Sequence, residues 1–181
     1  MSVSSAQQPE TPAPSSRASG VTADRFRDVL GRFCSGVTVV TAVDGGEPVG
    51  MTCQSFMSLS LDPLLIAFAP ALSSVTYPRI RRAGRFAISV LGEEQASVAF
   101  AFARSGTDKF AGVAWEPGIT GAPLIQGAIA HIECHHEAEH EAGDHLLVVG
   151  RTMAVRDQAD GRPLLFFRGA FDELGAGAAR S

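Results

Sequence analysis

Val37-Thr-Val-Val-Thr-Ala-Val-Asp-Gly-Gly-Glu-Pro-Val-Gly-Met-Thr-Cys53 decides the fold class. Its first seven residues are β-branched or small, and β-branched side chains are crowded in a helix but fit a pleated strand. Asp44-Gly-Gly-Glu47 then supplies a hairpin turn, because glycine tolerates the positive φ that a tight turn needs. Pro48 to Cys53 returns as the second strand. Working outward, Leu64 to Ala69 and Phe86 to Leu91 are short apolar runs bounded by proline and glycine, which read as buried strands. Ala128 to Glu137, Leu146 to Val155 and Leu164 to Phe167 read as three more, the last two flanking turn residues at Asp157 to Pro163. Helices are few. Thr22 or Asp24 can N-cap one whose apolar face is Phe26, Val29, Leu30 and Phe33. Gln95 to Arg104 is an alanine-rich second, with Val98, Phe102 and, more weakly, Phe100 turned to the core. Six or seven strands with few helices predict a mainly β fold, a small antiparallel barrel. The strands do not alternate with long helices, which argues against a doubly wound sheet.

The 181 residues suit one domain with tails. Residues 1–20 are rich in Ser, Pro, Ala and Gln and read as a disordered tail, and 175–181 read as a flexible one. The folded unit is expected at 21–174. The net charge is −4, fourteen of the fifteen basic residues are arginine, and no Lys/Arg run occurs, so no nucleic-acid partner is expected. No apolar stretch approaches the ~20 residues that span a bilayer, and no secretory signal is evident, so no membrane partner is expected. Cys34, Cys53 and Cys134 form no C-x-x-C pair, which fits reduced thiols and a cytoplasmic location.

Three segments carry candidate chemistry. Gly50 to Pro63 leaves a strand with Thr52, Gln54, Ser55, Ser58 and Ser60 interleaved with apolar residues. Such a loop offers hydrogen-bonding groups beside an apolar wall, which suits a planar heteroaromatic ring, though it also suits an ordinary serine-rich connection. Ser73-Ser-Val-Thr-Tyr-Pro-Arg-Ile-Arg-Arg82 places hydroxyls ahead of a short helix and three arginines after it. That is a candidate anion site or a capped helix with a basic face. Ala130 to His145 holds all five histidines. On a strand His131, Glu133 and His135 share one face and Cys134 and His136 the other. A zinc site could use such residues, but the pattern fits a solvated strand edge better, and no metal is expected. His145 follows Gly143-Asp144 at the mouth of a strand and is placed either for a ligand or as a surface turn residue. No nucleophile elbow, Rossmann fingerprint or phosphate-binding P-loop is present.

Taken in order, Phe33 to Thr41, Gly50 to Pro63, Ser73 to Arg82, Gly84 to Leu91, Asp108-Lys-Phe-Ala-Gly112, Gly143-Asp-His145 and Pro163 to Phe171 resemble the flavin reductase family, the reductase components of two-component flavin-dependent monooxygenases. The resemblance covers roughly Asp24 to Leu174. It implies an FMN-binding split β-barrel, a homodimer, FMN or FAD as the flavin, and NADH or NADPH as hydride donor. It also implies that reduced flavin diffuses to a partner monooxygenase. Carried over by position, Thr52, Cys53, Gln54, Ser55, Ser58, Leu59 and Ser60 line the isoalloxazine. Ser73, Ser74, Arg79 and Arg82 meet the ribityl phosphate, and Lys109, Phe110 and Ala111 close over the flavin. Gly36, Val37, Thr38, His145, Arg168 and Phe171 meet the nicotinamide nucleotide, with His145 positioning the reacting ring.

The chain departs from its relatives at three points. Cys53-Gln54-Ser55 stands where Ala-Asn-Ser is common, Phe171 where Tyr is common, and Tyr77 where Trp or another bulky residue is common. NADH is favoured over NADPH, since no arginine pair is evident for a 2′-phosphate. The competing readings are a flavin-binding split-barrel protein without reductase turnover and a pyridoxamine-phosphate-oxidase-like enzyme on the same barrel. The His145 and Arg168-to-Phe171 features favour the reductase, because a carrier needs no nicotinamide site.

Overall fold

The computed structural model describes residues 20–157 and 161–172. The two expected tails, apart from Gly20, and part of the turn between Asp157 and Pro163 lie outside them. The chain runs α1 (Ala23–Leu30), β1 (Ser35–Gly36), β2 (Thr38–Asp44), β3 (Glu47–Cys53), β4 (Met57–Leu61) and β5 (Leu64–Phe68). It continues through α2 (Tyr77–Ala83), β6 (Arg85–Val90), α3 (Ala96–Ala103), β7 (Trp115–Pro117) and β8 (Pro123–Ile125). It ends with β9 (Ala130–Ala142), β10 (His145–Asp157), β11 (Leu165–Phe167) and β12 (Ala170–Asp172).

Seven strands form one antiparallel sheet in the order β3-β2-β6-β9-β10-β5-β4. The predicted hairpin forms in register, Thr38 facing Cys53 and Asp44 facing Glu47. The sheet wraps around Val40, Phe68, Phe86, Ile88, Cys134 and Val148, with Tyr77 and Ile80 of α2 in the same cluster. Each such aliphatic or aromatic side chain contributes roughly 1.5–3 kcal/mol by leaving water. The two edges, β3 and β4, are consecutive in the chain. The Ser55 hydroxyl ties their junction to the end of β5, accepting from Ala69 N at 2.8 Å and lying 3.1 Å from Ala69 O. This is the mainly β split barrel expected. A second cluster packs α3 and β11 on the outside of β2: Val37, Val39, Leu91, Ala99, Phe102, Ile125 and Leu164.

Four sequence expectations change. The loop read over Gly50 to Pro63 contains strand β4, an edge strand exposed on both faces and carrying a bulge between Ser58 and Ser60, so no in/out alternation in burial marked it. His131 and Glu133, expected on a solvated edge, are buried because the β7–β8 hairpin covers the outer face of β6 and β9. The Ser89 hydroxyl satisfies His131 Nδ1 at 3.0 Å, and Thr120 donates to Glu133 from both N and Oγ1. Phe100, placed weakly on the buried side, is 56% exposed. The apolar face of α1 finds no cover among the described residues, and no α1 residue is buried. No described helix is long and apolar enough to cross a membrane, and no group of His, Cys, Asp and Glu among the described residues is arranged to hold a metal.

Candidate functional site

Strand β3 is the spine of the site. Gly50 lets the ring of Phe102 lie against the strand, since a Cβ there would fall 2.5 Å from the ring. Phe102 in turn packs edge-on against Phe110 at 4.9 Å, and Phe110 against Trp115 at 6.0 Å. Lys109 therefore arrives beside the same strand. Its Nζ donates to Gly50 O at 3.1 Å, Phe102 O at 3.1 Å and Thr76 Oγ1 at 3.3 Å. Burial lowers its pKa, yet three oxygen acceptors suit an ammonium. One side chain thus joins β3, the end of α3 and the segment before α2.

These three segments enclose a cleft of about 410 Å³, walled by residues 47–50 of β3, by Val75, Thr76 and Arg79, and by the 105–110 loop. Its size is within the range of small-molecule sites. Of the expected flavin contacts, Arg79, Lys109 and Phe110 form its wall. Thr52 to Ser55 continue β3 beyond it. Gln54 and Ser55 are exposed there, and the Gln54 amide has no hydrogen-bond partner among the described residues.

The other expected residues are placed unevenly. Thr52 Oγ1 donates to Ala99 O at 2.6 Å and holds α3. Cys53 is buried, its Sγ 3.2 Å from Ser55 Oγ, so its side chain offers no surface to a ligand. Ser74 Oγ accepts from Tyr77 N at 3.1 Å and starts α2, while Ser73, Ser58 and Leu59 are exposed, Ser60 and Lys109 half-buried and Ala111 exposed. Arg82 is engaged by Asp44 at two nitrogens, Nε at 2.9 Å and Nη2 at 2.6 Å. Sequence reading missed Asp44, and it met Thr76 only as one of the hydroxyls ahead of α2, not as a partner of Lys109. Asp44 sits in a turn that explains itself, and nothing local signals a partner 35 residues away.

The expected nicotinamide contacts fall into three groups. Gly36, Arg168 and Phe171 share one three-stranded sheet, β1-β11-β12. Arg168 N donates to Gly31 O at 2.9 Å at the end of α1, and the Phe171 ring packs on Phe100 at 4.7 Å. Val37 and Thr38, by contrast, are core residues. Val37 is fully buried, and Thr38 Oγ1 donates to Cys53 O at 2.8 Å, so neither side chain offers a surface to a nucleotide. His145 is half-buried at the start of β10, its Nδ1 2.7 Å from Asp144 Oδ1. That contact lowers the Asp144 pKa, and Arg27 of α1 adds to the effect. Helix α1 thus bonds the Arg168 turn through Gly31 and acts electrostatically, through Arg27, on the Asp144 beside His145.

The two buried thiols are not poised for nucleophilic attack: burial raises Cys53 and pushes Cys134 up to about 12. What the site offers is a cleft, exposed hydrogen-bonding groups on a strand end, and fixed cations, which is binding equipment.

Residues 30–175 match the family model for the flavin reductase like domain. The chain belongs to the flavin reductase family. Among its relatives is the reductase subunit of a flavin-dependent monooxygenase from Rhodococcus jostii, 46% identical over 147 residues, covering 81% of this chain and 75% of the relative. The FMN reductase (NADH) of Agrobacterium fabrum is 44% identical over 146 residues, covering 81% and 83%. Among solved structures, the NADH:FAD oxidoreductase of Streptomyces globisporus in complex with NAD and FAD fragments superposes with a TM-score of 0.82 at 37% identity, covering 94% of this chain and 100% of that one. In this flavin reductase, β3 lines the cleft through residues 47–50 and is followed by the exposed Gln54 and Ser55.

Proposed function

We propose that this flavin reductase oxidises NADH, transfers the hydride to FMN or FAD, and releases the reduced flavin to a separate monooxygenase. One observation carries the reading: the cleft walled by Arg79, Thr76 and the Lys109 clamp is lined by residues 47–50 of β3, the strand that leads on to the exposed Gln54 and Ser55. A flavin has the matching shape, a planar ring with polar edges on a phosphorylated tail.

The residues present fit that group. Gln54, Ser55 and the neighbouring backbone offer donors for the edge of the ring where negative charge grows on reduction. Phe110 and the 105–109 loop wall the tail, and Arg79 faces it as a cation. When bound, the flavin and nicotinamide supply the redox chemistry themselves, hydride passing from one ring to the other. The chain has to hold the two rings at contact distance and exclude other geometries. His145 serves the nicotinamide side. An Nδ1–H donating to Asp144 leaves Nε2 as an acceptor, suited to a carboxamide NH2. Gly36, Arg168 and Phe171 form the surface for the rest of the nucleotide. Val37 and Thr38 take part through the backbone they hold in place.

The active form is a homodimer in the cytoplasm, with the flavin site completed at the subunit interface. The test is to mix purified protein with NADH and follow the nicotinamide absorbance as FMN or FAD is added. NADH loss that depends on added flavin is expected. Flavin that binds without consuming NADH overturns the reductase reading in favour of a carrier. His145→Ala is expected to raise KM for NADH or lower turnover, and unchanged values for both remove His145 from the role.

A further inference from the structure

Asp44 closes strand β2, and its carboxylate is 13% exposed between two arginines. Arg79 Nε donates to Oδ2 at 3.0 Å. Arg82 donates through Nε to Oδ1 at 2.9 Å and through Nη2 to Oδ2 at 2.6 Å. The two guanidinium groups, Arg82 first, hold the carboxyl ionised, with a pKa of about 2.

The arginines are not equivalent. Arg82 presents a full two-nitrogen edge to Asp44 and has that edge occupied. Arg79 gives only Nε. Its two terminal nitrogens make no hydrogen bond among the described residues, and Arg79 stands in the wall of the cleft. The other cation in that wall, Lys109, has three acceptors of its own. Arg79 is therefore the cleft cation with donors to spare. A guanidinium anchored through Nε loses most of its rotational freedom before a ligand arrives, so less entropy is lost when a phosphate docks.

We infer that Asp44 is a positioning residue. It aims the free edge of Arg79 at the flavin phosphate and thereby sets how strongly the enzyme prefers FMN and FAD to riboflavin, which lacks that phosphate. The inference rests on the reading of the cleft as the flavin site. Arg82 is then a brace that keeps Asp44 in place.

The experiment measures kcat and KM for FMN, FAD and riboflavin at saturating NADH in the wild type, Asp44→Ala, Asp44→Asn and Arg79→Ala. For Asp44→Ala the ratio of KM for FMN to KM for riboflavin is expected to rise about tenfold, the size of one lost charge-assisted hydrogen bond. The change falls on KM and not on kcat. Asp44→Asn keeps the shape and one acceptor and is expected to move the ratio the same way by less. It decides the matter if the alanine variant does not fold. A ratio moved by Arg79→Ala but by neither Asp44 variant overturns the role of Asp44 and leaves the cleft reading standing. A ratio moved by none of them overturns both. KM values that rise in step for all three flavins assign Asp44 a purely structural part and overturn the inference.

Discussion

At Gly50 the site depends on the absence of a side chain. A Cβ would lie 2.5 Å from one Phe102 ring carbon and 2.8 Å from another. Phe102 is fully buried and cannot swing aside without displacing Phe110, which packs on it. Gly50→Ala is therefore expected to destabilise the protein by about 1–3 kcal/mol, the usual range for overpacking. Thermal melts should show a drop of roughly 2–4 °C per kcal/mol for a domain of this size. Adding Phe102→Leu to Gly50→Ala should restore part of the loss by making room. If it restores nothing, the contact is not the cause. This residue also shows what was legible in the site. The sequence exposes Thr52 and Gln54 as chemistry-bearing, because polar side chains stand out among apolar ones, while Lys109 enters only through the resemblance to the family. It does not show that Thr52 holds Ala99 O, that Lys109 clamps three segments, or that Cys53 turns inward. Those facts depend on where α3 lands, and nothing within β3 encodes that.

At the scale of elements, two hairpins carry predictions. The β11–β12 connection is Arg168-Gly169, both at positive φ, 52° and 84°. For a residue other than glycine or asparagine that conformation costs roughly 1–2 kcal/mol. The cost is consistent with a functional cation held at the tip. Arg168→Asn, the favoured residue for such a turn, is expected to raise the melting temperature while raising KM for NADH. A variant that gains stability with unchanged KM would remove Arg168 from the nucleotide site. The β7–β8 hairpin lies over His131, whose pKa is lowered from 6.5 by burial first and by Arg156 next, against the opposing pull of Glu116 and Glu133. The unfolded chain therefore takes up a proton near 6.5 that the folded chain takes up only at lower pH. Stability rises with pH across that window and is lost as pH falls from about 6.5. Melts from pH 7 to 5 should show this slope, and His131→Gln should flatten it. An equally steep slope in the variant would assign the effect elsewhere. The strands of the main sheet other than β4 were legible because β-branched and apolar runs fill its buried face. The β7–β8 hairpin was not, since Trp115–Pro117 and Pro123–Ile125 are three residues each and contain proline. With that cover unseen, His131 and Glu133 looked solvated.

At the scale of the whole molecule, the apolar surface left over asks for a partner. Phe26, Val29, Leu30 and Phe33 lie on one face of α1 and its C-terminal end and are 58%, 43%, 50% and 79% exposed. The edge strand β4 and its turn add Met57, Leu59, Leu61 and Leu64, at 48%, 44%, 84% and 54%. Single exposed apolar residues are ordinary, but an amphipathic helix with its apolar stripe in water is not. An open strand edge has the further liability of unpaired backbone donors. A two-fold dimer covers the same patch on both copies at once, and a stable one needs roughly 800 Å² from each. Gly31 at the end of α1 accepts from Arg168 N, and Arg27 of α1 acts electrostatically on Asp144 beside His145. Ordering α1 in a dimer would therefore order the Arg168 and His145 groups of proposed nicotinamide contacts. Light scattering during size exclusion is expected to give twice the 18.9 kDa chain mass. Val29→Asp with Phe33→Asp places two charges where the partner would sit, and should yield a monomer whose far-ultraviolet dichroism is unchanged. Its KM for NADH should rise by about tenfold or more, the scale of losing one good contact, and wild-type activity should fall on dilution as mass action separates the dimer. A wild type that elutes as a monomer with activity independent of concentration rules the dimer out, and the α1 face then belongs to something other than a second copy of this chain.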